Sequence, residues 1–130
     1  MLKVYKVIKY IYIIYMKNLY NLYVAIIIAI ILTILETIAQ GALRKHYLQK
    51  KKNWLYLLIS FSIYASIPIF LYISYSYVPT AIIEVFWDAG TTILVPITAY
   101  ILFAENLSKV GWYGILITVI GTIMVGSSLR

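Results

Sequence analysis

The chain has 130 residues, of which 64% are hydrophobic and only 12% charged. Soluble domains sit nearer roughly 45–50% apolar and about 25% charged, so there is too little polar surface to coat a water-facing globule. That composition argues against a soluble enzyme, a disordered tail and a nucleic-acid-binding module. The net charge is +7, from 11 basic and four acidic residues. Three of the four acids, Glu36, Glu84 and Asp88, lie inside apolar runs, and only Glu105 lies outside them. The basic residues gather just beyond those runs, as in an integral membrane protein whose cationic loops meet anionic headgroups. The first partner the sequence implies is therefore a lipid bilayer, and the fold class is an all-α integral membrane protein. Cysteine is absent, which removes disulfides, thiolate metal cages and thiol nucleophiles.

Residues 1–21 form a basic leader in which Lys3, Lys6 and Lys9 recur every three residues before a short apolar stretch. That stretch is too short to span, and no small-residue cleavage site follows it, so it does not read as a secretory signal. It reads as a short amphipathic N-terminal segment lying in the membrane interface; the alternatives are a disordered leader or a chain that begins at Met16. Residues 22–130 read as a four-helix transmembrane domain. A hydrocarbon core of roughly 30 Å needs about 20 apolar residues per helix. The first span covers 22–43, interrupted only by Glu36. No charge appears from Asn53 to Ile83, a stretch too long for one span, and Pro79 breaks it. The second and third spans are therefore 54–75 and 80–103. A short polar turn carrying Glu105 leads to the fourth, 110–127.

With four spans the termini share one side with Lys3, Lys6, Lys9, Lys17 and Arg130. The other side holds Arg44, Lys45, Lys50, Lys51, Lys52 and Lys109. Five against six gives no bias under the positive-inside rule, so such a chain can insert both ways; counted from Met16 the tally is two against six.

Acids in a membrane interior are costly and mark function. No Lys, Arg or His lies within the four spans, so the acids must hold a proton, because burial disfavours the charged form, or bind a cation from outside. A site that alternates between those states exchanges protons for cations. On the first span, Ala25, Ala29, Thr33, Glu36, Thr37 and Gln40 fall at steps of three and four and share a helix face. On the third, Glu84, Trp87, Asp88 and Thr91 form a second such face. Like charges one turn apart repel, and the Trp87 ring can face a cation. Glu84, four residues past Thr80, fits a headgroup position as well as a cavity. The second span offers Tyr56, Ser60, Tyr64, Pro68 and Tyr72 at steps of four, a stripe that fits either a cavity wall for a flat cation or ordinary helix contact. Small residues on the fourth span, Gly114, Thr118, Gly121 and Thr122, suit close helix packing or dimerisation. His46, the only histidine, lies among basic loop residues. No base–nucleophile pair, phosphate loop or metal-ligand spacing appears, so the sequence calls for no enzyme chemistry and no cofactor.

Leu35-Glu36-Thr37-Ile38-Ala39-Gln40, closing in Leu43-Arg44, resembles the first helix of small multidrug resistance transporters. Val78-Pro79-Thr80-Ala81-Ile82, followed by Trp87, resembles that family's third helix. Leu94-Val95-Pro96 and Ala104-Glu105-Asn106-Leu107, followed by Gly114 and Gly121, are more similar to the end of an EamA-type domain. Both families belong to the drug/metabolite transporter superfamily, and the resemblance covers residues 22–128. It implies that Glu36 is a shared proton and cation site, that Trp87 is the aromatic wall, and that Thr33, Thr37 and Gln40 are neighbours on the cavity face. Glu84 and Asp88 depart from the pattern, since uncharged residues usually stand there; Asp88 is a candidate from physics alone. The implied function is proton-coupled export of cationic or lipophilic small molecules. Four helices scarcely enclose a pathway, so the expected unit is a homodimer, with opposed copies supplying an inverted repeat. The competing readings are a structural membrane protein, half of a heteromeric transporter, and a lipid-carrier flippase, whose anionic phosphate would call for buried Lys or Arg.

Overall fold

The computed structural model describes residues 2–127. Among them the chain forms four α-helices and no strand: α1 (Leu2–Leu48), α2 (Trp54–Ser74), α3 (Thr80–Phe103) and α4 (Lys109–Ser127). The leader and the first expected span are one continuous helix of 47 residues. The sequence reading divides them near residue 21 on charge pattern. Charges do not break a helix, however, and no Gly or Pro occurs before Gly41. At 1.5 Å per residue α1 is about 70 Å long, roughly twice its neighbours.

Local chemistry explains the helix ends. The Lys52 ammonium donates to the carbonyls of His46 and Tyr47 at 3.2 and 2.8 Å, satisfying acceptors that the end of α1 leaves open. The Asn53 side chain accepts from the Leu55 N–H at 3.0 Å and caps α2. Pro79 sits at the N-cap of α3 with a φ of −57°, already suited to the helix that follows. Ala104 closes α3 in the left-handed region at φ 53°. The Ser108 hydroxyl accepts from the Gly111 N–H at the start of α4.

Three of the helices are long and apolar enough to cross a membrane: Tyr5–Leu48, Trp54–Ser74 and Thr80–Phe103. The described apolar part of the fourth, Lys109–Val125, is shorter.

The helices form an open layer in the order α2, α1, α3, α4. Helix α1 packs against both α2 and α3, which scarcely touch each other, and α4 packs on α3 alone. The core is small. Ala25, Ile28, Ala29 and Leu32 of α1 meet Ile67 of α2, Val78 in the α2–α3 turn, and Ile82 and Ile83 at the start of α3. Ala25 and Ala29 are short enough to let two helices close on α1 at once. Residues 5–20 are exposed throughout and extend past the α2–α3 turn. The accessible surface is 9759 Å², against about 7,000 Å² for a compact soluble chain of this mass. The excess belongs to the projecting helix and to the apolar outer faces of a single layer.

Candidate functional site

The inward face expected on α1 is inward. Ala25, Ala29, Thr33 and Thr37 are buried, and Glu36 and Gln40 are half-buried beside them. The Gln40 amide donates to the Glu36 carboxylate at 3.0 Å, and the Thr37 hydroxyl donates to the Thr33 carbonyl at 2.7 Å. Tyr64 of α2, exposed on its outer side, lies near the same pair. These residues therefore converge from two helices on one acid.

Helix α3 comes close to α1 at Thr33. The Thr33 hydroxyl lies 3.5 Å from the Trp87 carbonyl, to which it donates. A Cβ added at Gly90 would overlap that same hydroxyl, so only glycine permits this crossing. The contact places Trp87 against the core, half-buried, with its indole N–H enclosed and without a hydrogen-bond partner. Trp87 thus lies on the helix that packs against the α1 face carrying Thr33.

The α3 acids lie apart from this cluster. Glu84 is half-buried and Asp88 is exposed, one turn from each other, and no hydrogen bond or ion pair among the described residues joins either to Glu36. The Thr91 hydroxyl turns back onto the carbonyls of Trp87 and Asp88. The α2 stripe also divides: Ser60 is buried and Tyr56 half-buried, while Tyr64, Pro68 and Tyr72 are exposed to differing degrees. A step of four residues advances 40° beyond a full turn at 3.6 residues per turn, so the stripe winds round the helix instead of lining one side.

One feature escapes the sequence reading. Among the described residues the single ion pair joins Arg44, in the last turns of α1, to Glu105, just past α3, at 2.5 Å. Glu36, Gln40 and Arg44 stand at successive four-residue steps, so a ladder of polar groups runs from the half-buried acid to this pair. The available signal was that the α1–α2 and α3–α4 turns share a side and that Glu105 is the one acid among those basic loops. Beneath the pair is a cleft of about 150 Å³ between α1 and α3, lined by residues including Thr37, Gln40, Gly41 and Ala99. A larger cavity of about 780 Å³ opens beside it, lined by Thr37, Gly41, Tyr56, Ile59, Leu102 and others. That volume falls in the range of small-molecule sites, and its walls are mostly apolar.

Around the α1–α2 turn the cations lie on aromatic faces. Lys45 is 4.9 Å from the Tyr56 ring centre, and Arg44 and Lys52 are each 5.5 Å from that of Tyr47. His46 packs against Trp54. This end of the layer is cationic and aromatic, the chemistry of a headgroup region.

No protein-family model matches the chain, and no curated protein or solved structure matches it.

Proposed function

We propose that the chain is a small multi-pass membrane transporter of the drug/metabolite transporter type, which exchanges protons for a cationic or lipophilic small molecule at Glu36 and works as a homodimer. The observation that carries this reading is the setting of Glu36. It is half-buried on the inward face of a helix long enough to span, held by Gln40, and without a basic partner among the described residues. A carboxylate so placed has two ways to be neutralised: by a proton or by a cation. Each displaces the other, which is the chemistry of coupled exchange. Gln40 donates to the carboxylate, Tyr64 and Trp87 supply aromatic surface on the flanking helices, and the apolar cavity beside Thr37 accepts the lipophilic body of the substrate.

Three helices around one site leave its outer sides open, so a second copy completes the enclosure. The face of α4 formed by Gly114, Thr118 and Gly121 is exposed and supports close approach of a partner helix.

The test is proton release from proteoliposomes on addition of a panel of organic cations. The parent is expected to release protons and Glu36→Gln to release none. Equal release from both would remove Glu36 from the mechanism. Silence from both would favour a structural role in the bilayer or a requirement for a different partner chain.

A further inference from the structure

We infer that the cavity of about 780 Å³ at the α1–α2 turn end is a docking groove for an anionic phospholipid of the surrounding bilayer, with one acyl chain lying over Gly41 and the headgroup phosphate at Lys45. Neither Glu36 nor Gln40 lines this groove, so the groove and the exchange site stand or fall separately. A lipophilic substrate entering the same cavity competes with the lipid chain for it.

The groove comes from a gap in the packing. Helices α2 and α3 scarcely touch each other, so at this end α1 is the floor between them. Ile59 of α2 and Leu102 of α3 line the sides, and both are exposed. Gly41 lines the floor, and a Cβ added there meets nothing within 4 Å. Glycine inside a helix weakens it, and no neighbour within the chain requires it at this position. A flexible hydrocarbon chain laid against the bare backbone does. From Thr37, the innermost α1 residue of the groove, to Lys45 is eight residues, about 12 Å along the helix. That length fits within one leaflet, roughly 15 Å or half the hydrocarbon core.

The rim selects the class of lipid. The Lys45 ammonium stands 4.9 Å from the Tyr56 ring centre. It pairs with no carboxylate among the described residues, where the single ion pair is Arg44–Glu105. Lys50, Lys51 and Lys52 follow in the turn, and Glu105 is the one acid among these basic loops. The missing negative charge therefore comes from outside the chain. A second copy docked by the same end sets lysine against lysine, whereas a phosphodiester supplies the charge at the depth where lysine and tyrosine meet headgroups. Gln49 also lines the groove, and its side-chain carbonyl is enclosed without a hydrogen-bond partner. A headgroup that carries hydroxyls beside its phosphate offers that carbonyl a donor. A choline headgroup offers none, so the fit is to a glycerol-headed anionic lipid.

The test uses the full chain in a mild detergent, mixed with equal amounts of phosphatidylglycerol and phosphatidylcholine bearing the same acyl chains. Native mass spectrometry reads the lipid retained. The parent is expected to retain one phosphatidylglycerol, with several-fold preference over phosphatidylcholine. Lys45→Gln is expected to abolish that preference, and Lys50→Gln, which alters a charge outside the groove, to leave it unchanged. Gly41→Leu and Ile59→Trp fill the groove from α1 and from α2. Each is expected to retain several-fold less of both lipids, with helix content by circular dichroism equal to the parent's. Glu36→Gln is expected to retain lipid as the parent does, whatever it does to proton release. Full retention in both filling variants overturns the groove. A preference that falls alike in Lys45→Gln and Lys50→Gln overturns the headgroup site and leaves only diffuse surface charge. A parent that carries no lipid but dimerises, with Gly41→Leu monomeric, assigns the groove to a second copy and overturns the lipid.

Discussion

At the scale of single residues, the setting of Trp87 makes a sharp demand. Its ring packs against the core, yet its buried N–H donates to nothing. An unsatisfied buried donor costs about 1–3 kcal/mol, while the ring contributes apolar contact. Trp87→Phe keeps most of the ring and removes the orphan donor, so the two effects offset and stability is expected to change by less than about 1 kcal/mol. Trp87→Ala loses the ring as well and is expected to cost about 2 kcal/mol, less than a fully buried aromatic because the residue is half-exposed. Denaturant unfolding in a mild detergent measures both. A large loss in Trp87→Phe would mean that the N–H finds a partner in the membrane or in a second copy. Cation-evoked proton release should persist in the Phe variant and fall in the Ala variant, since only the former keeps an aromatic face. The burial of Thr33 and Thr37, with Glu36 and Gln40 half-buried beside them, was legible in the sequence, because polar residues that share one face of an apolar helix turn it inward. The facing of Asp88 was not legible: charge in an apolar run says that a residue is unusual, not which way it faces, and Asp88 is exposed.

The helices themselves show what periodicity does and does not fix. On α1 the steps of four from Ala25 to Thr37 are joined by Glu36, three residues past Thr33, and Gln40, three past Thr37; this stripe is buried or half-buried because α2 and α3 cover α1 from two sides. On α2 the same step of four winds round a helix covered chiefly by α1, and its stripe scatters from buried Ser60 to exposed Tyr72. The ends of α2 and α3 follow from Asn53 and Pro79. The continuity of α1 does not follow from the charge pattern and is set by the lack of any breaker before Gly41. Contact between elements is most constrained where α1 crosses α3. On an isolated helix, Gly90→Ala would gain about 1 kcal/mol of helix propensity. Here the added Cβ overlaps the Thr33 hydroxyl, and overpacking costs about 1–3 kcal/mol. A net loss of about 1–2 kcal/mol is expected from these opposed terms. Thr33→Ala removes the atoms in the way, so the double variant should recover most of that loss. A double-mutant cycle on thermal unfolding reads the coupling; additive losses would mean that the two helices do not meet at this point.

The whole molecule is a layer with α1 inside and α4 at its edge, an order that side-chain patterning does not encode, because an apolar face names no neighbour. Only the sharing of a side by the two loops was fixed beforehand, by the parity of the helices. The layer leaves α4 covered on one side, by α3. Away from that contact Thr118 and Gly121 are exposed, as is Gly114 at the edge of the groove between α3 and α4, and a Cβ added at either glycine meets nothing. Within one chain these glycines have no packing role, and each weakens its helix by about 1 kcal/mol relative to Ala. If a partner helix lies on this face, the missing side chains let the two backbones approach. Gly121→Leu separates the two descriptions. For a single chain it should be neutral or stabilising by up to about 1 kcal/mol, because a helix gains a better former and nothing is displaced. For a dimer joined through α4 it places four carbons where the partner should lie. The expected result is unchanged or raised thermal stability of the detergent-solubilised monomer together with loss of the cross-linked dimer in membranes. Retention of the dimer would move the interface off α4, leaving the long exposed start of α1 and the outer face of α2 as the surfaces on which a second copy can close the site.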